Sequence, residues 1–148
     1  MRRTSVKLEE VMPIIKEQLA LGKNVKFTPK GTSMRPMLIG ERDQVVLSPL
    51  PGKLKKYDLP LYQRDDGAYV LHRISKVGDT YTCIGDNQYI YEPNVRHDQM
   101  IGLVTAFVHN GKRYKVTDIS YRIYSVLWCN SRYLRRALGY IYRHIFRR

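Results

Sequence analysis

The sequence predicts a mainly β protein, antiparallel and barrel-like, with an N-terminal helix and a C-terminal basic helical tail. Three observations carry this reading. Between Asp43 and about Val108, short apolar runs (QVVLSPL, DLPLYQ, AYVLHRI, TYTCIGD, MIGLVTAFV) follow one another, punctuated by Gly, Pro and Asp. No helical pattern alternates with them, which argues against a βαβ arrangement. Apolar residues recur at helical spacing only near the two ends of the chain. With 148 residues, one domain with a sizeable core is expected. The expected parts are a helix over residues 1–23, a β domain over 24–118 and a helical tail over 119–148.

In chain order, Leu8, Val11, Met12, Ile15 and Leu19 fall on one helical face. Ser5 is the expected N-cap and Gly22 the expected C-terminal stop, with Pro13 placed to kink or divide the helix. A short strand over Asn24 to Thr28 follows. Within the β region, Asp65-Asp66-Gly67 and His109-Asn110-Gly111 read as hairpin turns. From Lys112 onward there are ten Lys or Arg against one acid, Asp118. Ile123, Leu127, Leu134, Leu138, Ile141 and Ile145 lie roughly on one face of one or two amphipathic helices, apart from a gap around Asn130-Ser131.

The formal net charge is +13, with twelve tyrosines against three phenylalanines and one tryptophan. Such a charge favours an anionic partner. The tail pattern suits an anionic membrane surface or a solvated helix packed on the β domain, and nucleic acid is the weaker expectation because no groove-reading motif accompanies the charge. Cys83 and Cys129 have no metal-ligand spacing and are expected as free thiols, one disulfide being the alternative. No signal-peptide pattern and no apolar run long enough to span a bilayer is found, so a cytoplasmic or peripheral membrane location is expected. No cofactor or metal is expected.

Ser33 lies in the stretch Gly31-Thr32-Ser33-Met34-Arg35-Pro36-Met37-Leu38, where a bend can expose its hydroxyl. A serine hydroxyl needs a base within reach, and the base needs a group to orient it. Of His72, His97, His109 and His144, only His72 sits inside an apolar strand, sharing a face with Val70 and Ile74 if that strand alternates. Asp86 ends the next strand, placed to reach back across a hairpin. Each also has an ordinary structural reading: turn serine, packed histidine, Asx-turn aspartate.

The set resembles a known family. The Gly31-to-Leu38 stretch resembles the Ser-Met-x-Pro-x-Leu box of type I signal peptidases. Leu54-Lys55-Lys56-Tyr57-Asp58-Leu59-Pro60-Leu61-Tyr62 resembles a degenerate Gly-Asp-Ile-Val strand, with Tyr57 in place of glycine. Val70-Leu71-His72-Arg73-Ile74 is similar to the base-bearing segment, where endoplasmic-reticulum and archaeal enzymes carry histidine before arginine. Bacterial members and the self-cleaving SOS repressors carry lysine there. Ile84-Gly85-Asp86-Asn87-Gln88 resembles the Gly-Asp-Asn box, and Glu92 stands where the eukaryotic form has a second acid. Ile101-Gly102-Leu103-Val104 resembles the closing strand. Together the boxes span roughly residues 26 to 108 in the family order.

The resemblance implies a signal-peptidase-like fold and a serine endopeptidase acting on a peptide or preprotein. Its implied catalytic residues are Ser33 as nucleophile, His72 as general base and Asp86 as its support. Glu92 and Thr32 are further supporting residues, Met34 and Pro36 are substrate-binding, and the Ser33 N–H donates to the oxyanion. Gly31 stands where signal peptidases often carry a hydroxyl, as in the Gly-x-Ser-Met form of the repressors. Neither an N-terminal anchor nor the repressors' DNA-binding helices is expected. A histidine base predicts an acidic limb of kcat/KM near neutrality. The rival readings are an inactive or self-cleaving regulatory peptidase-fold protein and a basic nucleic-acid-binding β-barrel.

Overall fold

The apolar face near the N-terminus builds helix α1, Leu8–Ala20, in the computed structural model, which describes residues 7–145. Met12, Ile15 and Leu19 are buried beneath it, and Leu8 and Val11 pack alongside. Lys7 holds the N-cap position; the expected cap, Ser5, lies outside the described residues. Glu9 and Glu10 sit in the first turn, where the helix dipole favours negative charge. Gly22, at φ +76°, ends the helix as expected. Pro13 is accommodated within it.

The β region forms two antiparallel sheets. The larger contains β1 (Val25–Phe27), β2 (Gln44–Ser48), β3 (Pro60–Gln63), β4 (Tyr69–Leu71), β8 (Met100–His109) and β9 (Lys112–Lys115). Its order is β1-β2-β8-β3-β4, with β9 paired to β8. Strand β8 is its spine: β2 lies along one edge, and β3 and β9 share the other. The smaller sheet contains β5 (Arg73–Val77), β6 (Tyr81–Ile84) and β7 (Glu92–Val95), in that order. Both expected hairpin turns form, between β3 and β4 and between β8 and β9. Asn110 and Gly111 both take positive φ, the requirement of a tight hairpin turn.

Two expectations are corrected. No closed barrel forms among the described residues, because the sheet path ends at β1 and β4 without their pairing. With three helices added, the architecture is mixed α/β rather than mainly β. The AYVLHRI run is also not one strand. It pairs with β3 up to Leu71, breaks at His72, and resumes at Arg73 in the smaller sheet. His72 is therefore a seam residue between two sheets, and Val70, His72 and Ile74 do not share one strand face.

The buried apolar side chains form two clusters. Val45, Leu47, Leu61, Val104 and Phe107 of the larger sheet meet α1, together with Met34, Met37 and Leu38 from the Ser33 segment. Tyr62, Ile74, Tyr81, Cys83 and Val95 form the second cluster. Both cysteines are free and buried, and burial pushes the Cys83 thiol up to about 12.

The tail is two helices, α2 (Ile119–Asn130) and α3 (Arg132–Ile145), parted at Ser131 where the sequence pattern lapses. Helix α2 packs on the β region through Tyr121, Ser125 and Cys129, whereas α3 buries none of its residues. The reading in which Leu134, Leu138 and Ile141 pack on the β domain is thus not met. No helix among the described residues is long and apolar enough to cross a membrane.

Candidate active site

Ser33 and His72 line one cleft of about 260 Å3. One wall is the segment Pro29 to Met34, and the other is the edge strand β4 running into His72. The Ser33 segment is a series of turns held by its neighbours. The Ser33 carbonyl accepts a hydrogen bond from the Asn87 N–H at 2.8 Å, and the Thr32 carbonyl accepts one from Asn87 Nδ2 at 3.1 Å. Gly85 makes this approach feasible, since a Cβ there would stand 2.6 Å from the Ser33 carbonyl oxygen. Gly31, at φ +90°, supplies a backbone conformation that side-chain-bearing residues rarely adopt. The Gly85-Asp86-Asn87 turn therefore fixes the candidate nucleophile's backbone. Among the described residues the Ser33 N–H has no protein acceptor, which leaves it available to an oxyanion.

His72 is buried, and its Nδ1 lies 3.5 Å from Tyr62 Oη and 3.9 Å from Glu92 Oε2. The Tyr62 hydroxyl donates to Glu92 Oε2 at 2.6 Å, and Arg64 clamps the same carboxylate through two nitrogens, at 2.8 and 3.0 Å. Burial, then the Glu92 carboxylate, raises the Tyr62 phenol's pKa, so it stays protonated. Its single proton is committed to Glu92, and Oη can therefore only accept from the ring. The long 3.5 Å contact favours the tautomer with the proton on Nδ1 and the lone pair on Nε2. Nε2 has no protein partner among the described residues, yet it is not sealed from solvent. Burial lowers the imidazole's pKa to about 4 against the opposing attraction of Glu92. Glu92 is itself held below its ordinary range: burial works against its charge, and the bonds from Arg64 and Tyr62 outweigh it.

Asp86 does something other than what the sequence suggested. Its carboxylate does not bond His72; it receives Arg73 through two nitrogens, at 2.8 and 2.9 Å, and the Tyr124 hydroxyl at 2.7 Å. Arg73 is fully buried and also donates to Tyr121 Oη, Ser125 Oγ and the Tyr57 carbonyl. The physical reason is the change of sheet at His72: Arg73 opens β5 fully buried and needs a counter-ion, and Asp86 follows β6, the strand paired with β5. The Asp86 carbonyl is gripped in turn by Trp128 Nε1 at 2.7 Å and Arg135 Nη1 at 2.8 Å. Asp86 is thus the hub joining the Ser33 turn to the helical tail, while Glu92, through Tyr62, is the acid beside His72.

The remaining expected residues divide. Met34 is buried on the cleft wall and its sulfur lies 3.5 Å from the Asp86 N–H. Pro36 is exposed and does not line the cleft. Thr32 is exposed and contributes its carbonyl to the turn. No hydrogen bond joins Ser33 to His72 among the described residues. Sequence reasoning missed Tyr62 and Arg64. Their signal was weak: Tyr62 lies in β3 and Arg64 just beyond its end, and a tyrosine in an apolar run reads as core. The chain matches no family model, no curated protein and no solved structure.

Proposed function

We propose that the protein is a serine endopeptidase of the signal-peptidase-like type, with Ser33 as nucleophile, His72 as base, and Tyr62 and Glu92 orienting that base. The observation that carries the reading is the single cleft shared by Ser33 and a histidine whose Nδ1 is committed to the Tyr62–Glu92 pair. A peptide entering the cleft can add to the free edge of β4 as an extra strand, with the carbonyl of its scissile bond beside Ser33. Met34, Leu38 and Leu71 on the walls suit a small apolar side chain there.

In the first half-reaction the Ser33 Oγ attacks the carbonyl carbon while His72 Nε2 takes its proton. The developing oxyanion is met by the Ser33 N–H. The imidazolium, stabilised by Glu92 through Tyr62, then gives its proton to the leaving amine and the C–N bond breaks. Water repeats the sequence on the acyl-enzyme, releasing the carboxylate product and restoring Ser33. Ser33 and His72 are not hydrogen-bonded in the structure, and catalytic contacts of this kind tighten on substrate binding.

The same missing bond favours one second reading, a peptidase-fold protein that binds without cleaving. A fluorophosphonate probe with mass mapping decides between them. Labelling of Ser33 that vanishes in both Ser33→Ala and His72→Ala, with peptide hydrolysis lost in both, supports the enzyme. A Ser33→Ala variant that keeps more than a small fraction of the hydrolysis removes the assignment.

A further inference from the structure

We propose that the outward faces of α2 and α3 dock on an anionic lipid bilayer, lying in its interface. Helix α3 carries Leu134, Leu138, Ile141 and Ile145 in one row at alternating steps of four and three. They are 62%, 56%, 44% and 62% exposed. Its opposite side carries Arg132, Arg136 and Arg143. A helix divided in this way, apolar on one side and arginine-rich on the other, matches the pattern of interfacial helices.

Helix α2 adds a second, independent row. Tyr121, Ser125 and Cys129 fix one side of α2 to the β region. The other side is thereby held outward, and it presents Ile119, Ile123, Val126 and Leu127 to solvent. Exposed apolar rows of this extent on a chain of this size mark a contact surface.

Charge selects the occupant. After Asp118 the chain has no acidic residue and seven arginines. A second copy seated on these faces would bring two acid-free, arginine-rich tails together with nothing to neutralise them. A bilayer carrying anionic lipids supplies both the apolar interior and the counter-charge. The proposal is independent of the peptidase reading, because it concerns a different face and a different readout.

The test uses the full chain in sedimentation with equimolar phosphatidylglycerol–phosphatidylcholine vesicles and with phosphatidylcholine vesicles alone. The expected result is binding to the anionic vesicles that weakens as salt rises, with little binding to the neutral ones. A Leu138→Glu, Ile141→Glu double variant touches only exposed positions, so it should melt like the wild type and lose binding by at least about tenfold. The Ser33→Ala protein should bind as the wild type does, which keeps this result separate from any loss of hydrolysis. The proposal is overturned by no sedimentation with anionic vesicles, or by unchanged binding of the double variant. It is equally overturned by a concentration-dependent dimer that the double variant abolishes while vesicles are ignored.

Discussion

Replacing Asp86 by asparagine separates the two roles that a carboxylate can have at this position. In the structure its oxygens neutralise a fully buried guanidinium through two short bonds. Asparagine is nearly isosteric, keeps one acceptor oxygen, and turns its amide nitrogen toward a cation. Arg73 retains Tyr121, Ser125 and the Tyr57 carbonyl as neutral acceptors, but its charge is left unpaired. Breaking a buried pair from one side costs about 3–5 kcal/mol. That is a large part of the about 5–15 kcal/mol that holds a domain folded. In a chain of this length each kcal/mol moves the melting temperature by roughly 2–4 °C, so a fall of about 6–20 °C is expected. Urea denaturation followed by circular dichroism gives the free energy, and peptide hydrolysis normalised to folded protein gives the catalytic effect. The expected result is a large stability loss and, under conditions where the variant is folded, an acidic limb moved only slightly lower, because the Asp86 charge is a lesser influence on His72 than burial and Glu92. A loss below about 1 kcal/mol together with a displaced acidic limb would refute the assignment and return Asp86 to the base.

Five further outcomes are expected. With His72 lowered to about 4 by burial, the acidic limb of kcat/KM falls well below the ordinary histidine value of about 6.5, not near neutrality. Glu92→Gln removes the attraction that favours the protonated ring, so the limb should move lower still as kcat drops; a pH–rate profile that shifts upward contradicts the arrangement. The same depression bears on stability: between pH about 6.5 and about 4 the unfolded histidine holds a proton that the folded one refuses. Stability should therefore fall by about 3 kcal/mol as pH drops through that window, and chemical denaturation at several pH values measures it. Gly85→Ala places a methyl 2.6 Å from the Ser33 carbonyl. It should cost about 1–3 kcal/mol in a thermal or urea melt and, by displacing the nucleophile, on the order of a hundredfold in kcat/KM. A chain ending at Asp118 loses Tyr121, Ser125 and Tyr124 from the Arg73–Asp86 cluster and should fail to give a cooperative melt, whereas one ending at Ser131 should remain folded.

What the sequence made legible was local. The helical rows of α1 and the tail, the two hairpin turns and the stop at Gly22 are set by neighbours a few residues apart, and they appear where the pattern puts them. The break of AYVLHRI at His72 depends on which strands lie on either side, and periodicity within seven residues cannot carry that. The site divides in the same way. Ser33 and His72 were legible because their segments are distinctive. The partner of His72 was not, because a choice between Asp86 and Glu92 turns on which side of a strand each carboxylate meets. Arg73 held the missing clue: an arginine in an apolar strand requires a buried anion, and Asp86 is the acid that ends the adjoining strand. Tyr62 was hidden by composition, since a tyrosine in an apolar run reads as core.

The single tryptophan of this chain gives the molecule a native optical reporter. Trp128 stacks on Tyr124 at 5.6 Å between ring centroids, lies 4.4 Å from the Arg135 guanidinium, and donates its indole proton to the Asp86 carbonyl. Its emission colour and intensity are therefore set by the turn whose next residue, Asn87, holds the Ser33 carbonyl. No second indole blurs the signal. Intrinsic fluorescence can follow the assembly of the Ser33 turn in real time, without a dye, a substrate or an introduced label.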